Sequence, residues 1–146
     1  MLIDYDILTI CADKEKYDRF SPFIKEHMMS RDSWTIFKAM GKYFSTNEKL
    51  TWSDFKSWYK LVENSGKQNV AHDIIFTKLD GYTCSKTLEK EIIESFISKD
   101  YANKIGDKAL AIIEGSTRYS MDDIVSDVET FQVEVDKSAD LDSLIV

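Results

Sequence analysis

The sequence is poor in residues that break helices, since its 146 residues include five glycines and one proline, Pro22. Turns with a positive φ depend on glycine, so this scarcity argues against a turn-rich all-β protein and favours helices. The two cysteines, Cys11 and Cys84, stand alone, without a C-x-x-C pair or a histidine at ligand spacing. We therefore expect reduced thiols in place of a disulfide or a zinc site.

Long hydrophobic runs are also missing. No apolar run approaches the roughly 20 residues that cross a bilayer. The first apolar run is interrupted by Asp4 and Asp6 and follows no basic segment, unlike a secretory signal. We therefore expect a cytoplasmic protein with no membrane partner.

Motifs of catalysis do not occur in the chain. There is no G-x-x-x-x-G-K-[ST] phosphate loop, no G-x-S-x-G elbow and no H-E-x-x-H zinc motif. His27 and His72 lie far apart in sequence, and the pair Asp122–Asp123 belongs to the polar side of a helical pattern. We expect no catalytic, cofactor-binding or metal-binding residues here, and ordinary surface or core roles for both histidines.

Charge is concentrated near the C-terminus. Residues 116–146 contain two basic and eight acidic residues, so this tail carries −6 of the formal net charge of −7. The preceding residues, 1–115, are almost neutral. Affinity for a phosphate backbone comes mainly from clustered lysine and arginine, so we expect no direct nucleic acid binding.

Apolar residues recur at helical spacing along almost the whole chain. Helices are expected at about 2–12, 13–20, 32–46, 52–62, 70–79 and 85–114. The pattern leaves open whether the last of these is one helix or two. Gly41 is unfavourable inside a helix and indicates a close helix crossing. The expected fold is all-α, a small multi-helix bundle over 1–115 followed by a C-terminal linker helix.

The stretch TWSDFKSWYKLV, residues 51–62, is the most aromatic part of the chain. Thr51 and Asp54 have the spacing of a capping box, so a helix should begin at Trp52. Its apolar stripe consists of Trp52, Phe55, Tyr59 and Val62, widened by Trp58 and Leu61. Core packing is the favoured interpretation, with Trp58 at the edge as a candidate partner contact. Stacking on single-stranded nucleic acid is the third interpretation, and no basic groove supports it.

A second start signal follows the linker EGSTRY, where Ser120 and Asp123 repeat the capping spacing. We expect a helix over about 120–135 within a C-terminal segment, 116–146. Its apolar positions are Ile124, Val128, Phe131 and Val135. The helix could pack on its own domain or dock in a groove of another subunit. With no dock evident, we expect the tail to be mobile in isolation or borrowed by a neighbouring molecule.

Several of these runs together resemble the N-terminal domain of DnaB-type replicative helicases, in particular those of bacteriophages. The resemblance covers nearly the whole chain, at the level of pattern and without a single diagnostic motif. The runs are ILTICADKEKYDRFSPFIKEHMMSRDSWTIFKAMGKYF (7–44), the aromatic stretch (51–62), SFISKDYANKIGDKALAIIEG (95–115), and SMDDIVSDVETFQVEV (120–135) with DLDSLIV after it.

The resemblance implies a non-catalytic helical collar on a hexameric ring, which pairs helicase subunits and engages primase or a helicase loader. ATP and Mg²⁺ would bind only in a motor domain beyond residue 146, and the abrupt SLIV end fits a chain that continues. In that family the linker helix docks on the neighbouring motor domain, a role that falls here on Ile124, Val128 and Phe131. The region 88–113 matches the subunit-pairing segment, with Tyr101 and Ile105 as exposed interface candidates. Phage relatives differ in collar assembly, so a trimer of dimers stays open.

Two other functions remain as alternatives. One is a stand-alone small acidic adaptor or inhibitor that binds a host protein through its tail helix. The other is a single-strand DNA binder built on the aromatic stretch. A phosphate loop downstream of residue 146 would distinguish the helicase module from the adaptor.

Overall fold

The computed structural model describes residues 2–63, 69–84 and 87–143. Within these ranges the chain forms seven α-helices and no β-strand, and one isolated backbone bridge joins Asp13 to Lys49. The predicted all-α fold is therefore confirmed. Ser85, where the sixth helix was expected to begin, and the terminal Leu-Ile-Val lie outside the described residues.

The helices follow the expected order along the chain. They are α1 (Leu2–Ile10), α2 (Lys14–Phe20), α3 (Arg31–Phe44), α4 (Trp52–Trp58), α5 (Val70–Leu79), α6 (Glu89–Ile113) and α7 (Met121–Ser143). A π-helical turn, Tyr59–Glu63, extends α4, and 3₁₀ turns occupy Ser21–Phe23 and Glu26–Met28. The region left open in the sequence is thus one continuous helix, α6, and α7 ends later than residue 135.

The chain forms two compact units, Met1–Glu89 and Lys90–Val146. The sequence instead suggested a division after residue 115. The difference arises because most of α6 belongs to the same unit as α7. The first unit holds 13 basic and 13 acidic residues, whereas the second holds 6 and 13. The whole formal net charge of −7 therefore belongs to the second unit.

Local side chains specify where the helices of the first unit begin. The side-chain oxygens of Asp13, Ser30, Thr51 and Asn69 each accept a hydrogen bond from the backbone N–H three residues later. Each bond satisfies a donor that the first helical turn leaves unpaired. Helices α1, α3 and α5 then pack on one another, and α4 packs on α5. The core comprises Ile7, Leu8, Ile36, Met40, Phe55 and Leu79, all fully buried.

Gly41 lies where α2 crosses α3, as its position inside a helix predicted. A Cβ atom at Gly41 would come within 2.5 Å of the Tyr17 hydroxyl oxygen. That hydroxyl donates a hydrogen bond of 2.9 Å to the Phe37 carbonyl oxygen, and the Tyr17 ring packs on the Phe37 ring. The glycine therefore makes room for a tyrosine that holds the two helices together.

Gly41→Ala is expected to lower the free energy of unfolding by about 1 kcal/mol, because the clash outweighs the better helix propensity of alanine. In a Tyr17→Phe background the nearest clashing atom is gone, so the same change should be neutral or stabilising. Gly106→Ala is the control, since nothing lies within 4 Å of its would-be Cβ atom. Urea denaturation measures all variants. An equal loss in both backgrounds would show that Tyr17 is not the cause.

Candidate protein-interaction surfaces

The aromatic stretch is mainly core. Phe55 is 0% exposed. Five rings have centroids between 5.5 and 6.1 Å from its own: Tyr43, Trp52, Trp58, Tyr59 and Phe76. The predicted cap is present as well, since the Asp54 N–H donates to the Thr51 hydroxyl oxygen over 3.3 Å. The density of aromatic residues is explained by a ring cluster that joins α3, α4 and α5.

Trp58 lies at the edge of this cluster. Its ring stacks on Phe55 at 5.7 Å and meets the Tyr43 ring at a tilt at 5.3 Å, and the side chain is half-buried. One part of the indole therefore stabilises the core, and the rest is accessible. A contact between Trp58 and a partner stays a prediction.

A buried histidine connects three elements of the first unit. The Nδ1 atom of His72 lies 2.8 Å from the Tyr59 hydroxyl oxygen, and its Nε2 atom lies 3.1 Å from an Asp32 carboxylate oxygen. A neutral imidazole protonated on Nε2 satisfies both contacts, because it accepts from Tyr59 and donates to Asp32. Burial raises the pKa of Tyr59, which keeps its hydroxyl a donor. His72 is thus a buried histidine with hydrogen-bond partners on both ring nitrogens.

The predicted stripe is wrong beyond Tyr59. Leu61 and Val62 were expected on the buried face, but they are 76% and 63% exposed. The reason is the π-helical turn, in which hydrogen bonds span five residues, so that positions after Tyr59 rotate away from the α-helical stripe. Two aliphatic side chains therefore face solvent.

More exposed aliphatic side chains lie nearby on α5, where Val70 and Ile74 face outward. Helix α4 with its π-helical turn runs antiparallel to α5, because Phe55 contacts Phe76 and Tyr59, four residues later, contacts His72. This register brings Leu61 and Val62 to the same end of the helix pair as Val70. All four side chains are exposed.

Two shallow grooves follow the outer side of α5 and share Thr77. One, of about 250 Å³, is lined by Val70 and Ile74 and is almost wholly apolar. The other, of about 280 Å³, lies between α4 and α5 and is lined by Trp52 and Lys56 among others. Exposed apolar groups beside grooves are typical of protein contacts. The α4–α5 side is therefore a candidate interaction surface that the sequence did not reveal.

In the second unit, α7 folds back along α6 as an antiparallel hairpin. Lys108 on α6 pairs with Asp127 on α7 over 2.7 Å, and further back the Tyr101 ring packs on the Phe131 ring at 5.5 Å. Gly115, with φ of +84°, ends α6 as a left-handed cap. The Ser120 N–H then donates to the Asp123 carboxylate over 2.8 Å, as the predicted start of α7 requires. The tail helix therefore packs within its own chain, which is the first of the two alternatives that the sequence left open.

The predicted interface residues separate into buried and accessible ones. Tyr101 was expected to be exposed, but it is 6% exposed, because Phe131 covers its ring, and its hydroxyl donates a hydrogen bond to the Glu134 carboxylate. Ile105, Ile124 and Phe131 are half-buried in the second unit. Val128, at 42% exposed, is the most accessible candidate on α7.

The hairpin should loosen in alkali through Tyr101. Burial, and then its hydrogen bond to Glu134, raises the pKa of Tyr101 to about 12, above the ordinary value of 10.0. Its stabilising effect is therefore complete below pH 10 and is lost as the pH rises through 12. We expect the Phe131 side of α7 to lose hydrogen-exchange protection in that range. Tyr101→Phe should weaken this pH dependence, and an unchanged profile would contradict the assignment.

Sequence reasoning missed the second apolar column of α7. Met121 and Val125 are exposed, at positions three residues before and one residue after Ile124. Leu110 and Ile113 on α6 are exposed as well. The signal was present in the sequence, because the apolar stripe of α7 is wider than contact with one helix requires. The sequence prediction included Ile124 and the residues in line with it, but not Met121 and Val125, which lie beside them on the same helix.

Neither cysteine is an activated nucleophile. Neither is in a disulfide, Cys11 is buried and Cys84 is half-buried, and burial raises the pKa of each thiol. Among the described residues, no group of three or more histidine, cysteine, aspartate or glutamate side chains is arranged to hold a metal ion. Nor is any helix in the described ranges both long and apolar enough to cross a membrane.

Comparison with known proteins identifies no relative: no family model, curated protein or solved structure matches the chain.

Proposed function

We propose that this chain is a non-catalytic assembly and protein-interaction module of a DnaB-type, bacteriophage-like replicative DNA helicase. The carrying observation is the α6–α7 hairpin, which contains the runs 95–115 and 120–135 that resemble that family. The hairpin has exposed apolar side chains on both helices, and such surfaces are typical of protein contacts. Its mechanism is scaffolding, without a chemical step of its own.

In this role the module associates with other helicase subunits and presents a surface to primase or a helicase loader within the primosome. ATP and Mg²⁺ bind in a downstream motor domain. The protein acts in the cytoplasm, which is that of a bacterial host if a phage encodes it. No direct contact with nucleic acid is part of the proposal.

The role proposed for α7 is narrower than a free linker helix. Ile124 and Phe131 are half-buried in the second unit, so they are only partly available to a neighbouring motor domain. Val128 and the other exposed residues on the same helix are the ones that can reach a second protein. We assign the intermolecular contact to that outer edge.

The reading frame beyond residue 146 tests the proposal most directly. A G-x-x-x-x-G-K-[ST] motif within about a hundred residues is expected. The longer chain should form a ring-sized oligomer in light scattering, and it should co-purify with a primase of the same replication system. A stop codon after Val146, or a longer chain that stays monomeric and lacks that motif, would overturn the helicase assignment.

A small acidic adaptor or inhibitor is the second candidate. The observation that favours it is the charge separation, because the entire net charge of −7 belongs to the unit with the tail helix. Such a protein would bind a basic host protein through α7. Binding of a host protein by the 146-residue chain alone, with no helicase domain encoded downstream, would decide for this candidate.

A further inference from the structure

The outer edge of α7 is an apolar strip that contact with α6 does not use. At 100° per residue, Ile124, Asp127 and Phe131 share the side of α7 that faces α6. Met121, Val125 and Val128 project about 40° to 100° round the helix from Ile124 and are exposed. A wider apolar face is typical of a helix in a bundle or globular core, whereas a two-helix seam needs only a narrow one. The hairpin therefore has room for a third helix.

A row of acids runs beside this strip. Asp122, Glu129 and Asp136 recur every seven residues, so they line up along the helix next to Val125. All three are exposed, and none forms an ion pair with a described residue. The apolar strip is therefore bordered on one side by the contact with α6 and on the other side by unpaired negative charge.

We propose that this strip, Met121, Val125 and Val128 with the acid row Asp122, Glu129 and Asp136, binds a basic amphipathic helix of another protein. The partner helix presents aliphatic side chains to the strip and lysine or arginine at intervals of seven to the acid row. Opposite charges along such a flank select the partner of a helix, as in coiled coils. This inference deepens the proposed function. It rests on that function only for the choice of replication proteins as candidate partners.

The charges argue against a second copy of this chain as the occupant. Two second units would each bring −7 to the contact, and like charges across an interface oppose association. Salt has opposite effects in the two cases. Salt screens the attraction to a basic partner and so weakens its binding. It also screens the repulsion between two copies of this chain and so strengthens their association.

The test uses two labelled synthetic helical peptides, about three heptads long, with the same leucine positions. One has lysine at a flanking position of each heptad, and the other has glutamate there. Fluorescence anisotropy with the full 146-residue chain measures binding, at peptide concentrations where each is monomeric. The lysine peptide is expected to bind at least about tenfold more tightly than the glutamate peptide, and its binding should weaken as the salt concentration rises.

Two kinds of variant locate the contact. Val125→Ser with Val128→Ser should lower affinity for the lysine peptide by about tenfold or more. Val133→Ser is the matched control, because Val133 is 51% exposed against 50% for Val125 but lies off the strip. Glu129→Lys should reduce the preference for the lysine peptide, whereas Asp107→Lys, an exposed acid on α6, should not. Circular dichroism checks that each variant is folded. If the double serine variant does not fold, the comparison of Glu129→Lys with Asp107→Lys still tests the proposal.

Equal binding of both peptides, or equal losses in Val133→Ser and the double variant, would overturn the proposal. So would a dimer of the chain that strengthens with salt and dissociates on Val125→Ser with Val128→Ser, because a second copy would then be the occupant. These outcomes are independent of the proposed function, which depends on the downstream motor domain. A lysine-peptide site on a chain without that domain would leave the site intact and reject the helicase.

Discussion

Replacing Phe55 with alanine is expected to lower the free energy of unfolding by about 3–5 kcal/mol, the range for large-to-small changes of buried aromatic residues. Phe55 is fully buried, and its ring contacts come from three helices, so the cavity cannot collapse without moving α3, α4 or α5. Domains of ordinary stability have about 5–15 kcal/mol in total. The change should therefore bring the first unit close to unfolding at room temperature.

Urea denaturation followed by tryptophan fluorescence is the measurement, since Trp52 and Trp58 both adjoin the Phe55 ring. Leu61→Ala is the control on the same segment. Because the Leu61 side chain is exposed, this change should alter the free energy of unfolding by no more than about 0.5 kcal/mol. If Phe55→Ala cost as little as the control, the ring cluster would not be the core of this unit.

Replacing Phe131 with alanine is expected to release α7 from α6 and to melt it. The Phe131 ring is the aromatic contact to Tyr101, and most of the stability of a helix in a protein comes from the packing of its apolar face. We expect amide protection along α7 to fall by about tenfold or more, while protection in α3 is unchanged. Hydrogen exchange read by mass spectrometry resolves the two regions.

Val133→Ala is the control for this variant, because Val133 is on the same helix and half-exposed. Unchanged protection of α7 in Phe131→Ala would mean that the Lys108–Asp127 pair and the remaining apolar contacts hold the hairpin without the ring. A loss that extended to α3 would mean that α7 also supports the first unit.

The features predicted correctly from the sequence are those with a local cause. Thr51 caps α4 and Ser120 begins α7 through residues three positions away, so a short stretch of sequence contains all the information. Gly41 was recognised because a glycine inside a helix needs a reason, although the sequence could not name Tyr17 as that reason. Helical periodicity then accounts for the all-α fold.

The interaction surfaces were predicted less well because they depend on contacts distant in sequence. Periodicity extends an α-helix through Val62, and nothing local marks the π-helical turn that exposes Leu61 and Val62. Tyr101 was predicted to be exposed because its cover, Phe131, is 30 residues away across a turn. The apolar stripe on α7 is apparent in the sequence. The sequence does not indicate which side of that stripe packs on α6.

The four side-chain caps of the first unit also bear on how the chain folds. Asp13, Ser30, Thr51 and Asn69 each define a helix start using atoms that are already neighbours in the unfolded chain. The costly first turn of each helix can therefore form before any distant contact exists. Chains whose early contacts are local fold quickly, in microseconds to milliseconds for helical domains. These four local signals all precede residue 90, so they are complete before the acidic hairpin has been synthesised.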